Sequence, residues 1–96
     1  MTKKTITVYS KTTGCPQCTM TKRALTNEGV IDDVNIIYID QPENADTLKM
    51  LIEQGLTQAP VVMTNFPVEL NGQPVTEWTG FIPSALKQAA QELKKD

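Results

Sequence analysis

Thr5-Ile6-Thr7-Val8-Tyr9-Ser10-Lys11-Thr12-Thr13-Gly14-Cys15-Pro16-Gln17-Cys18 is the stretch from which the fold is read. Its opening alternates, with Ile6 and Val8 on one side and Thr5, Thr7 and Tyr9 on the other, the period of a β-strand. The two cysteines follow where the pattern changes. Pro16 suits the first position of a helix and Gly29 the position just past its end, so a helix is expected from about Cys15 to Glu28. Its apolar face is thin: Cys18, Met20, Thr21, Ala24 and Leu25. A Cys-x-x-Cys pair placed between a strand and a helix is the specific pattern of a redox site.

Working outward, Asn35–Ile39 reads as a second strand. Ile36, Ile37, Tyr38 and Ile39 run without alternation, as in a strand covered on both faces. Asn44 can cap a helix reaching about Gln54, with Asp46 in its first turn and Leu48, Leu51 and Ile52 on one face. Gly55 and Leu56 fit a left-handed C-cap with its apolar contact. Pro60 opens a third apolar run, Val61-Val62-Met63; Asn71-Gly72 marks a turn, and Val75–Thr79 reads as a fourth strand. A last helix begins near Pro83, with Leu86, Ala89, Ala90 and Leu93 inward and Lys94 and Lys95 at its end. The order βαβαββα predicts an α/β fold, with a right-handed parallel first unit, an antiparallel final hairpin, and three helices flanking a four-stranded mixed sheet.

Composition narrows the chemistry. The 96 residues have room for one core and so for a single domain, residues 1–96. Nine basic and 11 acidic residues leave a net charge of -2, with 2 cysteines and no histidine. Without histidine there is no Ser-His or Cys-His catalysis and no HExxH metal site. Two cysteines build neither a disulfide-rich scaffold nor a four-ligand Cys/His zinc site within one chain, so no metal site and no cofactor are expected. Lys3, Lys4, Lys11, Lys22 and Arg23 stand among residues 1–27 without an acid. With aromatics at only 5%, this mildly positive region does not read as a nucleic-acid surface. No export signal follows Lys3 and Lys4, and no apolar run nears the roughly 20 residues that span a bilayer. A cytoplasmic protein without membrane contact is expected, where a cysteine pair is catalytic, redox-active or metal-binding rather than structural.

At a helix N-terminus, free backbone N–H groups and the positive dipole end stabilise a thiolate, so Cys15 is expected to carry a lowered pKa. Cys18 lies one turn on, on the same side and less exposed, and the two sulfurs can close a disulfide. In the expected reaction, Cys15 attacks a target disulfide and Cys18 resolves the mixed disulfide. Pro16 removes a donor and stiffens the turn. Two other readings of the pair stand beside this one: two buried apolar thiols, or cysteines from two chains pooled around zinc or an iron–sulfur cluster.

The chain resembles the thioredoxin-fold redoxins, and within them the glutaredoxins and the NrdH-redoxin branch. The resemblance spans about the whole chain. It rests on Tyr9-Ser10-Lys11, Cys15-Pro16-Gln17-Cys18, Gln58-Ala59-Pro60-Val61-Val62 and Trp78-Thr79-Gly80-Phe81 with Pro83. It implies the sheet order 2-1-3-4 and a cis Ala59–Pro60 bond facing the cysteines, where the residues alone read as a trans proline opening a strand. The Ala59 backbone would then be free to pair with an extended substrate segment. The resemblance also gives Lys11, Pro16, Gln17, Gln58, Ala59, Pro60, Trp78, Thr79, Gly80 and Phe81 partner-positioning roles. By themselves Lys11 reads equally as a solvated lysine, Trp78 equally as core, and Tyr9 and Tyr38 as packing.

Glutaredoxins usually carry Tyr at position 17, Thr-Val-Pro at 58–60, and an acidic pair opening the last helix that holds the glutathione ammonium group. Here Gly80-Phe81-Ile82-Pro83-Ser84 contains no acid, so that charge-assisted bond is missing and glutathione is expected to bind poorly. Gln17, Gln58-Ala59-Pro60 and Trp78-Thr79-Gly80-Phe81 look instead like the NrdH-redoxin pattern. That branch implies an electron donor to class Ib ribonucleotide reductase, itself reduced by thioredoxin reductase; a monomer is expected. The alternatives are a glutathione-dependent glutaredoxin and a dimeric metal or cluster carrier. Three features depart from the usual pattern: one residue more between Lys11 and Cys15, a long Thr64–Gln73 segment, and Pro16, which is more typical of glutaredoxins.

Overall fold

The computed structural model describes residues 3–95. Strand β1 (Ile6–Ser10) leads to helix α1 (Pro16–Asn27), strand β2 (Val34–Tyr38) and helix α2 (Ala45–Glu53). Strands β3 (Val61–Leu70) and β4 (Gln73–Thr79) and helix α3 (Pro83–Lys94) complete the chain. Short 3₁₀ turns, Ile31–Asp33 and Pro42–Asn44, precede β2 and α2. The sheet order is β2-β1-β3-β4, with β1 parallel to β2 and antiparallel to β3, and β3 antiparallel to β4. The four-stranded mixed sheet is the one that the order of elements predicted, and its strand order is that of the thioredoxin fold that the resemblance implied.

The pleat of β1 divides the core. Ile6 and Val8 face α1 and α3 with Val62, Trp78, Leu25, Leu86 and Ala89, all buried. Tyr9 turns to the other side, where Ile39, Leu51 and Val61 meet the half-buried Leu48, Leu56 and Met63 of the α2 layer. The α2 C-cap takes the expected form: Gly55 N–H bonds to the Ile52 carbonyl at 3.0 Å and Leu56 N–H to the Leu51 carbonyl at 2.9 Å. These two bonds define a Schellman motif, with Leu56 packed in the same cluster as Leu51.

Several expectations need correction. Strand β2 begins at Val34 and lies at the sheet edge, so Ile36, Ile37 and Tyr38 are half-buried rather than covered on both faces. An unbroken apolar run does not distinguish an edge from a centre. Met20 is 40% and Ile52 53% exposed, so neither joins the inward face of its helix. Asn44 stands at the N-cap of α2, but its amide donates to the Tyr38 carbonyl at 2.8 Å instead of capping the helix. The Thr64–Gln73 segment is mostly strand. β3 runs on to Leu70, passes an irregularity between Met63 and Val68, and turns at Asn71-Gly72, whose φ of 53° and 78° suit a tight hairpin. The Asn65 side chain accepts from Thr5 N–H at 2.8 Å and donates to the Lys3 carbonyl at 2.7 Å, tying the irregular part of β3 to the chain before β1. Because β3 leaves the Pro60 end antiparallel to β1, the hairpin tip lies at the end of the sheet away from the cysteines. There Gln88 of α3 accepts from and donates to the Glu69 backbone, at 3.1 and 2.8 Å.

Candidate redox site at the start of the first helix

Cys15 is the N-cap of α1, and Pro16 occupies the first helical position, where a missing N–H costs no intrahelical bond. The backbone N–H of Cys18 points at the Cys15 sulfur, with N to Sγ at 3.2 Å. A sulfur thus takes the place of the oxygen that usually caps a helix. The two sulfurs are bonded to each other, with Cα atoms 5.2 Å apart, within the span a disulfide bridges. Cys15 is half-buried and Cys18 only 1% exposed, so an incoming group reaches Cys15 first.

Two segments close around the pair. The Ala59–Pro60 bond is cis, and the Ala59 carbonyl oxygen lies 3.8 Å from Cys15 Sγ. Pro60 is fully buried, and its carbonyl accepts from Gly80 N–H at 2.8 Å. The next N–H, of Phe81, donates to Gln17 Oε1 at 3.0 Å. Gly80 has φ +83°, and a Cβ placed there would sit 3.1 Å from the same oxygen. Backbone conformation and the approach of Gln17 therefore both ask for glycine at this point.

The remaining positions sort by depth. Thr79 pairs with Val61 across the hairpin and is half-buried. Trp78 is 4% exposed and belongs to the core under α1 and α3, so its ring supports the site from behind and has no face for a partner. Lys11, Gln58 and Ala59 line a groove of about 420 Å³ with Ile39, Leu48 and Ile52. Lys11 forms no ion pair with the described residues. Tyr9 packs in the α2 layer, and the Tyr38 ring carries the Lys22 ammonium 5.1 Å from its centroid.

Residue reading missed one participant. Asp40 Oδ2 accepts from both the N–H and the hydroxyl of Thr12, at 2.9 and 2.8 Å, and so anchors the loop that carries the chain into Cys15. Desolvation raises the Asp40 pKa. The Thr12 hydroxyl and N–H bonds, with further backbone bonds at Asp40 and Thr13, outweigh it and hold the carboxyl below its ordinary value. Nothing in the local sequence linked two residues so far apart. Among the described residues, no three of His, Cys, Asp and Glu gather as metal ligands.

The glutaredoxin family model matches residues 6–66, which run from β1 through the cysteines into β3. The chain belongs to the glutaredoxin family. Within it, the chain is similar to the glutaredoxin-like protein NrdH of Escherichia coli K12, with 36% identity over 84 residues, covering 86% of this chain and 85% of that protein. The Shigella flexneri protein of the same name matches equally. This is an NrdH-like glutaredoxin carrying a Cys-x-x-Cys disulfide, a thiol–disulfide redoxin. Two solved structures share the fold. Mitochondrial thioredoxin 3 of Saccharomyces cerevisiae, in its oxidised form, gives a TM-score of 0.59 at 23% identity over 97% of this chain and 81% of that one. Chloroplastic thioredoxin z gives 0.62 at 20% identity over 98% and 80%. No described helix is long and apolar enough to cross a membrane.

Proposed function

We propose that this glutaredoxin-family chain acts as a single-domain, monomeric cytoplasmic electron carrier. It passes electrons to a class Ib ribonucleotide reductase and recovers them from thioredoxin reductase rather than from glutathione. The observation that carries the exchange chemistry is the half-buried Cys15 sulfur at the N-cap of α1, facing the Cys18 N–H and bonded to the buried Cys18. In the reduced protein that N–H and the positive helix end favour a Cys15 thiolate. The thiolate attacks one sulfur of a target disulfide, forming a mixed disulfide and releasing the other sulfur as a thiolate, which takes up a proton. Cys18 gives up its thiol proton, which balances the one taken up by the departing thiolate, and its sulfur then attacks Cys15 Sγ. Its new bond restores Cys15–Cys18 and frees the second target thiolate, so two electrons pass to the target. A dithiol reductase returns them by the reverse exchange.

Three features support the choice of donor and acceptor. The first turn of α3 holds no acid, so a glutathione ammonium group finds no carboxylate there. Gln17, Gln58-Ala59-Pro60 and Trp78-Thr79-Gly80-Phe81 resemble the NrdH-redoxin pattern, which implies both named partners. The 36% identity to the protein named NrdH agrees with that branch. Coupled assays test the choice. With NADPH and thioredoxin reductase the chain is expected to reduce insulin disulfides at a steady rate, and with glutathione and glutathione reductase only weakly. Efficient turnover in the glutathione system alone would make it a glutathione-dependent glutaredoxin.

A further inference from the structure

The contacts around the disulfide form a circuit that the Gln17 side chain closes. Cys15 Sγ touches the Ala59 carbonyl, the neighbouring Pro60 carbonyl holds Gly80 N–H, and the neighbouring Phe81 N–H is held by Gln17 Oε1, two residues from Cys15. Gln17 is exposed and at the second position of α1, where a helix needs nothing from a side chain. Its carbonyl nevertheless reaches a segment that arrives from β4. Among the described residues, no other side chain bonds the backbone of residues 80–82. Gly80 leaves the room for this: a Cβ there would meet the Gln17 oxygen at 3.1 Å. On the far side, Phe81 and Ile82 pack partly against the main core, and backbone bonds hold Gly80 N–H and the Ile82 carbonyl, which leaves the Phe81 N–H between them to the Gln17 side chain.

We propose that Gln17 is a positioning residue for protein partners. By holding the Phe81 N–H it fixes residues 79–82 as a preformed rim beside Cys15, against which a partner docks before exchange. This rests on reading Cys15–Cys18 as the exchange site, and names the residue that shapes the approach to it. A protein partner that touches the rim meets an ordered surface and loses less freedom on binding. A small disulfide that touches little beyond the sulfurs depends on the rim far less. Removing the acceptor loosens the rim and weakens docking, which raises KM more than it lowers kcat.

The test compares wild type, Gln17→Met and Gln17→Glu with dithiothreitol as reductant, insulin as protein disulfide and hydroxyethyl disulfide as small substrate. Methionine keeps the length and unbranched shape of glutamine without its carbonyl; glutamate keeps an acceptor oxygen. In Gln17→Met the insulin KM is expected to rise about 3- to 10-fold, the effect of one hydrogen bond, with kcat changed by less than about 2-fold. The KM for hydroxyethyl disulfide should rise less. Gln17→Glu should restore the insulin KM. In NMR spectra of the oxidised protein, the Phe81 amide should exchange faster with solvent in Gln17→Met than in wild type or Gln17→Glu. An insulin KM within about 2-fold of wild type in Gln17→Met, an equal rise for both substrates, or a rise that glutamate does not reverse would overturn the proposal. A wild-type protein that reduces neither substrate would instead overturn the exchange reading on which it rests, and Phe81 amide exchange would still report whether the contact exists.

Discussion

Cys15 differs from Cys18 through its neighbours, since the two side chains are chemically the same. One caps a helix, half-open to solvent, with a backbone N–H aimed at it; the other is buried one turn further in. With no histidine in the chain, activation of Cys15 falls to that N–H and to the helix end. Alkylation of reduced protein by iodoacetamide, followed against pH, should therefore give a Cys15 midpoint below the ordinary thiol value of about 8.5. A midpoint at or above that value would remove the helix end as the activating group. Lys11, the other candidate, stands with Gln58 and Ala59 on the α2-side groove. Thr21 poses a second question at this scale. It is fully buried one turn beyond Cys18, and among the described residues its hydroxyl finds no partner. A buried unpaired hydroxyl costs stability. Thr21→Val is expected to raise the stability of the oxidised protein by about 1 kcal/mol in urea unfolding, and a loss of similar size would mean that the hydroxyl is satisfied.

Elements place these residues, and here the loop before α1 matters most. It carries one residue more than the usual pattern between Lys11 and Cys15, and Asp40, just after β2, holds it through Thr12. Asp40→Ala is expected to speed solvent exchange of the Thr12 amide and lower the urea midpoint at pH 7. The Asp40 carboxyl lies below its ordinary 3.8 in the folded protein, so the stabilisation is complete above pH 3.8 and fades as pH falls through the lower folded value. The gap between variant and wild type should thus be present at pH 7 and shrink in acid below that point; a gap that widened there would contradict the assignment. Glu92 behaves in the same sense, because hydrogen bonds from Lys95 and Lys4 hold it below 4.5. Elements also show what could be read in advance. The strand before the cysteines, Pro16 and Gly29 around α1, and the Gly55-Leu56 cap follow from local chemistry, and each is where the residues placed it. The edge position of β2 and the length of β3 depend on neighbours far along the chain. So does the Asp40–Thr12 contact, which spans two loops.

At the scale of the whole molecule, the fold gathers the start of α1, the end preceding β3 and the segment after β4 around one disulfide. The cysteine motif alone marked the first of these. The second and third follow from the resemblance in Gln58-Ala59-Pro60 and Trp78-Thr79-Gly80-Phe81, and packing separates the exposed Gln58 and the half-buried Ala59, Thr79, Gly80 and Phe81 from Pro60 and Trp78, which are buried. The long Thr64–Gln73 segment extends the sheet at the opposite end, where Gln88 fastens it to α3. The account as a whole stands on an outer attacking sulfur and an inner resolving one. Its most direct test exposes reduced Cys18→Ser and Cys15→Ser proteins to insulin and resolves the products by non-reducing electrophoresis and mass spectrometry. The account predicts that Cys18→Ser accumulates a mixed disulfide through Cys15, while Cys15→Ser forms none and reduces nothing. Mixed disulfide forming through Cys18 instead, or a Cys15→Ser protein that still reduces insulin, would contradict it.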